Sequence, residues 1–218
     1  MNGFIKYRSL RQIVSKCIQI SEFGTAQSSP VYELRTYGIQ PKDLKAFLDL
    51  GTDWMHLRCS HSKLLGYWVS ELGGISDVCH IWEYDDLSHR ARVRKALSED
   101  KDWMSGYLNK VLPMFRFQTN TLMTLAPGCK MASEVKPGGV YELQVLTKTD
   151  SASDISGDAH SSLLARFFSI VGPTNSEIRL WHHTDMDVAI DFMSRKAGDI
   201  KTAGHSRLLL PASWSPWK

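Results

Sequence analysis

A repeated tetrapeptide constrains this chain more than any other feature of its sequence. Val-Tyr-Glu-Leu occurs at Val31–Leu34 and again at Val140–Leu143, and an apolar-Trp pair follows each copy, at Ile81-Trp82 and Leu180-Trp181. A period of roughly one hundred residues is far longer than a solenoid repeat. We therefore expect an imperfect tandem repeat, in which each copy is a small domain or half of a shared one.

The distribution of charge argues against a nucleic-acid-binding protein. The chain carries 26 Lys and Arg residues against 23 Asp and Glu residues, a formal net charge of +3. Residues 1–29 hold four of these cations and one of the anions, so the rest of the chain is electrically neutral. Binding to a phosphate backbone needs a clustered basic face, which a neutral body does not predict.

The first 29 residues have the composition of a mitochondrial transit peptide. They are rich in Ser and poor in acidic residues, and apolar residues follow helical spacing at Leu10, Ile13, Val14, Cys17 and Ile18. The sequence has neither the apolar core of a secretory signal nor a run of about twenty apolar residues that would predict a transmembrane helix. We expect a mitochondrial protein, in the matrix or associated with a membrane; the alternative is a cytosolic one.

The first copy has the pattern strand, helix, strand, strand, helix, strand. Strand formers fill Val31–Tyr37, and apolar residues then recur at three- and four-residue steps in a helix ending near His61. Two apolar runs flank Gly73-Gly74, which predicts an antiparallel hairpin. The remaining elements are a helix to about Leu97, a short helix at Trp103–Val111 and a strand at Phe115–Leu125.

The second copy is shorter than the first. The distance from the first residue of the tetrapeptide to the residue before the Trp is 50 positions in the first copy and 40 in the second. We expect a loop at Ser151–Asp158, a helix at Ala159–Phe168 and a closing strand at Arg207–Leu210. Pro and Gly residues bracket a linker between the copies. The predicted organisation is a transit peptide at 1–29, a first domain at 30–127, a linker at 128–139 and a shortened second domain at 140–218.

Several motifs of the chain resemble the NIPSNAP family, most closely its third subgroup. They are His56-Leu57-Arg58, Gly66-Tyr67-Trp68, His80–Tyr84, His89–Leu97 and Leu209–Pro216. The resemblance implies an α+β fold of tandem ferredoxin-like repeats of the dimeric α/β barrel type, with the second repeat reduced. It also implies mitochondrial residence, and protein partners that act as autophagy or trafficking adaptors. The family has no established catalytic residue to carry over.

Three ring-bearing residues form the candidate ligand site. His80, Trp82 and Tyr84 alternate along one predicted strand and so project to the same face. Together they could line a cavity for a flat apolar ligand, or they could pack a barrel interior or its helix layer. His89, on the apolar side of the next helix, completes the candidate cavity. His56 and Cys59 lack enough partners for a metal site, so no metal is predicted.

The functional expectation follows from missing motifs and from the resemblance. The sequence contains no nucleophile elbow, phosphate loop, dinucleotide fingerprint or zincin motif. We expect a non-enzymatic mitochondrial interaction or adaptor protein, in mitochondrial quality control or vesicle trafficking, without a cofactor. The alternative is an α/β barrel that binds an aromatic molecule or haem, or that oxidises a substrate without a cofactor. Because the second copy is short, we also expect unpaired strand edges and a homo-oligomer.

Overall fold

Apolar residues on both faces of its strands give this chain a sheet that is buried on two sides, by the barrel interior and by the helices. A computed structural model describes residues 29–147, 156–197 and 203–218. Its strands, in chain order, are β1 (Val31–Ile39), β2 (Lys63–Leu72), β3 (Asp77–Tyr84), β4 (Phe115–Leu125), β5 (Val140–Thr147), β6 (Ser161–Val171), β7 (Ser176–His183) and β8 (Gly204–Pro211). The strands pair antiparallel into one closed barrel with the order β1-β3-β2-β8-β5-β7-β6-β4.

Helices cover the outside of the barrel. They are α1 (Leu44–Cys59), α2 (Leu87–Glu99) and α3 (Met186–Ala197). A π-helix at Trp103–Leu108 continues through one α-helical turn at Asn109–Val111 and a 3₁₀ turn at Leu112–Met114 into β4. No helix in the described part of the chain is long and apolar enough to span a membrane. The predicted transit peptide spans residues 1–29. Of these, residues 1–28 lie outside the described part of the chain, and only Ser29 is described.

The two halves of the barrel share one strand order. It is β4-β1-β3-β2 in the first half and β8-β5-β7-β6 in the second. The tetrapeptide copies occupy equivalent places, because Leu34 on β1 pairs with Ile81 and Leu143 on β5 pairs with Leu180. The pairs β2–β8 and β4–β6 join the halves.

Two expectations about the second half are wrong. Its strands are not left with open edges, because β8 pairs with β2 and β6 pairs with β4, which closes the barrel within one chain. The segment predicted as a helix at Ala159–Phe168 instead belongs mainly to β6. Pairing with β4 and β7 on either side fixes this segment as a strand, and such tertiary context overrides local propensity.

Most buried apolar side chains belong to an interior layer or to an outer layer, and a smaller cluster of Val140, Ala189 and Leu208 includes α3. The interior layer draws on strands of both halves and includes Tyr32, Ile81, Tyr141, Phe167 and Leu209. The outer layer lies between the first half of the sheet and its helices, and includes Phe47, Met55, Tyr67, Trp82, Tyr84, Val93 and Tyr107. Ile81 and Trp82 therefore project to opposite sides, and His80, Trp82 and Tyr84 face the helices rather than the barrel interior.

Candidate functional site

A cavity of about 300 Å³ lies between the first half of the sheet and the helices that cover it. Strand residues form its floor: Glu33, Arg35, Tyr37, Tyr67, His80, Trp82, Tyr84, Phe115 and Gln118. Helix residues form its walls: Met55, Arg58, Arg94, Leu97, Ser98, Trp103, Tyr107, Leu108, Val111 and Leu112. Its volume is at the lower end of the range for small-molecule sites.

The His80 imidazole is held in a single tautomer at the cavity floor. Its Nδ1 accepts a hydrogen bond of 2.6 Å from the indole Nε1 of Trp82. An indole N–H can only donate, so the imidazole proton resides on Nε2. Burial, and then the charges of Arg35 and Arg58, hold the pKa of His80 well below its usual value. His80 is therefore neutral, and its buried Nε2–H has no hydrogen-bond partner within the described structure.

Aromatic rings hold the His80 side chain in place. The Tyr67 ring stacks on it with centroids 4.5 Å apart at 12°, and the Tyr37 ring meets it edge-on at 4.8 Å. Tyr67 belongs to β2 and Tyr37 to β1, so three adjacent strands converge on this imidazole. A donor fixed this firmly is preorganised for a ligand acceptor.

Arg58 is a buried cation that is bound only by neutral groups. Its guanidinium donates to the hydroxyls of Ser62 (2.5 Å) and Tyr84 (2.7 Å) and lies 3.8 Å from the ring centroid of Trp82. No carboxylate of the described residues lies within ion-pair distance of it. The apolar spacing of α1 places this side chain on the buried face of the helix, with 5% of its surface exposed. The Tyr84 hydroxyl connects Arg58 to a negative charge indirectly, because it donates a hydrogen bond of 3.3 Å to the carboxylate of Glu33.

Glu33 is itself satisfied by other partners. Arg90 on α2 binds both of its carboxylate oxygens, at 2.9 and 2.8 Å, and the amide of Asn120 donates at 2.8 Å. Arg35 is more distant, with its Nε 3.9 Å from the carboxylate and without a hydrogen-bond partner. The cavity therefore carries one neutralised carboxylate and a surplus of guanidinium charge.

The structure brings three of the four candidate residues together. His80, Trp82 and Tyr84 line the cavity. His89 lies outside it, because its ring links chain segments: its Nδ1 accepts from the backbone N–H of Asp85 and its Nε2 donates to the carbonyl of His61. Asp86 caps the same helix by accepting from the backbone N–H of His89 at 2.6 Å. The role of His89 is therefore to anchor the start of α2.

Sequence reasoning missed Arg58 and every phenol of the site except Tyr84. Arg58 and Tyr67 belong to the motifs quoted for the family resemblance, but no spacing rule connects them to His80. Trp103 and Tyr107 come from the π-helix, a form that often occurs at functional sites. Their rings lie 4.5 Å apart and form one wall. The family motifs were the signal that could have identified Arg58 and Tyr67.

The second half of the barrel does not repeat this set of residues. Gln144 takes the position of Arg35, and Arg179 takes the position of His80, as the strand register shows. Arg179 and Arg166 both bind the carboxylate of Glu177. In the second half, the place that corresponds to His80 is therefore occupied by an arginine whose charge is balanced by a carboxylate.

Comparisons with known proteins identify a family and share the fold. The NIPSNAP family model matches residues 32–130. Human protein NipSnap homolog 3A is 32% identical over 212 residues, covering 86% of this chain and 85% of its own length. Mouse protein NipSnap homolog 3B is 31% identical over 221 residues, covering 89% of both.

A solved structure shares the architecture at low identity. A candidate monooxygenase from Fusobacterium nucleatum covers 88% of this chain and 99% of its own, with a TM-score of 0.59 and 8% identity. At that identity the likeness shows the fold alone. Because the two NipSnap homologs are similar over most of their length, the chain belongs to the NIPSNAP family, in line with its homolog 3 subgroup.

Proposed function

We propose that this protein binds a small, largely apolar molecule in the cavity between the first half of the sheet and helices α1 and α2. The observation that carries the proposal is the buried Nε2–H of His80, which lines the cavity and has no hydrogen-bond partner in the part of the chain that the structure describes. A buried donor left unsatisfied costs about 1–3 kcal/mol. A ligand acceptor would recover that energy, while the aromatic walls would contact its apolar body.

Binding, rather than catalysis, fits the protonation state of His80. The acceptor nitrogen of this imidazole is occupied by Trp82 and the other nitrogen carries the proton, so the ring cannot take a further proton without breaking that bond. The same proton disfavours haem or metal ligation by Nε2, since a ligating imidazole needs a free lone pair there. We therefore favour a binding barrel over an oxidising or haem-binding one.

A fluorescent probe tests the binding proposal. N-phenyl-1-naphthylamine is neutral and becomes bright in apolar sites, so we expect saturable enhancement with the full chain. Ser98→Trp places a large ring at the exposed rim of the cavity and should weaken binding about tenfold or more. Ser88→Trp adds the same ring to an exposed position of α2 away from the cavity and should leave binding unchanged. Equal binding by both variants would refute the proposal.

The equal strand orders support a finer architectural proposal. Each half follows the order 4-1-3-2 in its own strands, with a helix after the third strand in both. We infer two ferredoxin-like units in tandem, of which the second is reduced. In the described residues, α1 and the π-helix have no counterpart in the second unit.

A mitochondrial adaptor role is the second candidate function. Its support is the cationic, Ser-rich composition of residues 1–29 together with membership of the NIPSNAP family. Deleting residues 1–29 should leave the protein cytosolic, and proximity labelling before and after mitochondrial depolarisation should enrich autophagy or trafficking adaptors. An unchanged mitochondrial signal in the deletion variant, or no enriched protein in either state, would remove this candidate.

A further inference from the structure

We propose that the ligand of this cavity is an organic acid, with its carboxylate at the end formed by Arg35, Arg58 and His80 and its apolar body against the helix walls. These three residues form the donor end of the cavity. This inference rests on the proposed binding function and adds the chemical class of the ligand. Its support is the positive charge of the lining, the donors without a partner at the donor end and the apolar side chains of the rest of the lining.

The charge of the lining is positive. Three arginines line the cavity, namely Arg35, Arg58 and Arg94, against the single carboxylate of Glu33. Arg90, which lies outside the cavity, binds both oxygens of that carboxylate. Glu33 therefore balances Arg90 and part of the charge of Arg35, whose Nε lies 3.9 Å from its carboxylate, and the lining keeps a surplus of positive charge in the buried space around Arg58. Such a space favours an anion over a neutral molecule of the same shape.

Arg58 is the centre of that surplus. Its hydrogen-bond partners, Ser62 and Tyr84, are both hydroxyls, and a buried cation normally has an anionic partner. Stacking on Trp82 compensates only part of its lost hydration. A carboxylate entering the cavity would supply the counter-charge that the described residues do not provide.

The unmet polar atoms at the donor end can only donate. The Nε2–H of His80 and the Nε–H of Arg35 are buried and have no hydrogen-bond partner among the described residues. The two residues face each other across paired strands, as Arg35 lies opposite His80 in the register of β1 and β3. A carboxylate presents two oxygens that accept and none that donates, which matches this arrangement.

Much of the remaining lining is apolar and suits a flat or branched hydrocarbon body. Met55, Leu97, Leu108 and Val111 of the helix walls contribute to it, together with Phe115 of the floor. A volume of about 300 Å³ accommodates an acid with one or two rings. The combination of a cationic end and an apolar wall therefore selects an aromatic or medium-chain acid over a sugar or nucleotide.

A matched pair of probes tests the class. Calorimetric titration of the full chain compares 2-naphthoate with 2-naphthamide, which has the same ring system without the charge. We expect naphthoate to bind about tenfold more tightly, the usual effect of a charge-assisted hydrogen bond. Arg35→Gln should remove most of this preference.

A second pair of variants, at exposed positions, distinguishes a loss of ligand binding from misfolding. Arg94 is exposed on α2 at the cavity rim, and Arg92 is exposed on the same helix outside the lining. Arg94→Gln should weaken naphthoate binding but not naphthamide binding, whereas Arg92→Gln should change neither. Equal affinity for both probes in the unmodified chain would overturn the acid assignment and leave the binding proposal intact. Absence of binding by both, and by N-phenyl-1-naphthylamine, would overturn both proposals.

Discussion

Glu33 shows how one buried carboxylate organises the first half of the barrel. Its side chain is 2% exposed, and it joins α2 through Arg90, β4 through Asn120 and β3 through Tyr84. Burial by itself would raise the pKa of Glu33, but hydrogen bonds from Arg90 and Asn120 and the charge of Arg35 lower it to about 2. The ionised form is therefore part of the folded structure.

This pKa predicts a loss of stability in acid. Glu33 stabilises the fold fully above its ordinary pKa of 4.5, and this contribution disappears as the pH falls toward about 2. The lowered pKa corresponds to about 3 kcal/mol at neutral pH. Glu33→Gln should therefore reduce the free energy of unfolding at pH 7 and flatten its decline between pH 4.5 and 2.

Urea denaturation at several pH values measures this effect. Asp49→Asn is the control, because Asp49 pairs with Lys45 at an exposed surface position and should cost little. An acid decline in Glu33→Gln as steep as in the unmodified chain would contradict the assignment.

At the scale of residues, the site was predictable only along one strand. His80, Trp82 and Tyr84 could be grouped because alternation places them on one face. Arg58 and Tyr107 could not be added, because they reach the cavity from elements whose docking geometry no local rule supplies. His89 was misplaced for a related reason: helical spacing gives the side of α2 but not the segment that lies beside it.

At the scale of elements, α1 depends on a glycine to receive the C-terminal segment. A Cβ atom at Gly51 would lie 2.4 Å from the Trp214 ring. That ring also packs on Tyr67 with centroids 5.1 Å apart, and Ser215 accepts a hydrogen bond from the backbone N–H of Tyr67. The glycine thus provides a close contact between the first helix and the end of the chain.

Gly51→Ala should therefore lower the melting temperature. Helix propensity alone would favour Ala by up to about 1 kcal/mol, but displacing Trp214 should cost about 1–3 kcal/mol. Asp53→Ala, at an exposed position of the same helix, is the control and should change stability little. A melting temperature that rises in Gly51→Ala would show that the Trp214 ring moves aside without cost.

Element prediction was accurate where local signals were strong. The hairpin at Gly73-Gly74 and the strand at Phe115–Leu125 follow from turn chemistry and composition. Helix α1 ends at Cys59, two residues before the predicted end near His61. β6 was missed because Ala159–Phe168 lacks a clear period, and its strand state comes from partners on both sides. The π-helix at Trp103–Leu108 has no sequence signal of its own.

At the scale of the whole molecule, closure of the barrel within one chain removes one reason to expect self-association. Open strand edges no longer support a homo-oligomer, because the described strands pair on both sides. The proposal now depends on exposed apolar residues at the end of β6, where Ile170 is 53% exposed and Val171 is 62% exposed. Exposed apolar patches often mark interfaces between copies.

We predict a concentration-dependent dimer that uses this end of β6. Sedimentation velocity of residues 30–218 across micromolar concentrations should show it, and Val171→Lys should shift the equilibrium toward monomer. Thr174→Lys adds the same charge to an exposed polar position of the neighbouring turn and should have a smaller effect. A monomer at every concentration would argue against the dimer.

The position of β8 in the barrel also has a consequence for synthesis. This strand leaves the ribosome after the other seven strands of the barrel, yet it pairs with β2 and β5, which are made much earlier. Until residues 204–211 emerge, the backbone groups along one edge of each of those strands lack their partner. Such edges recruit other chains, so translation passes through a stage at which chaperone protection matters. A chain stopped just before β8 would remain at that aggregation-prone stage, although it contains seven of the eight barrel strands.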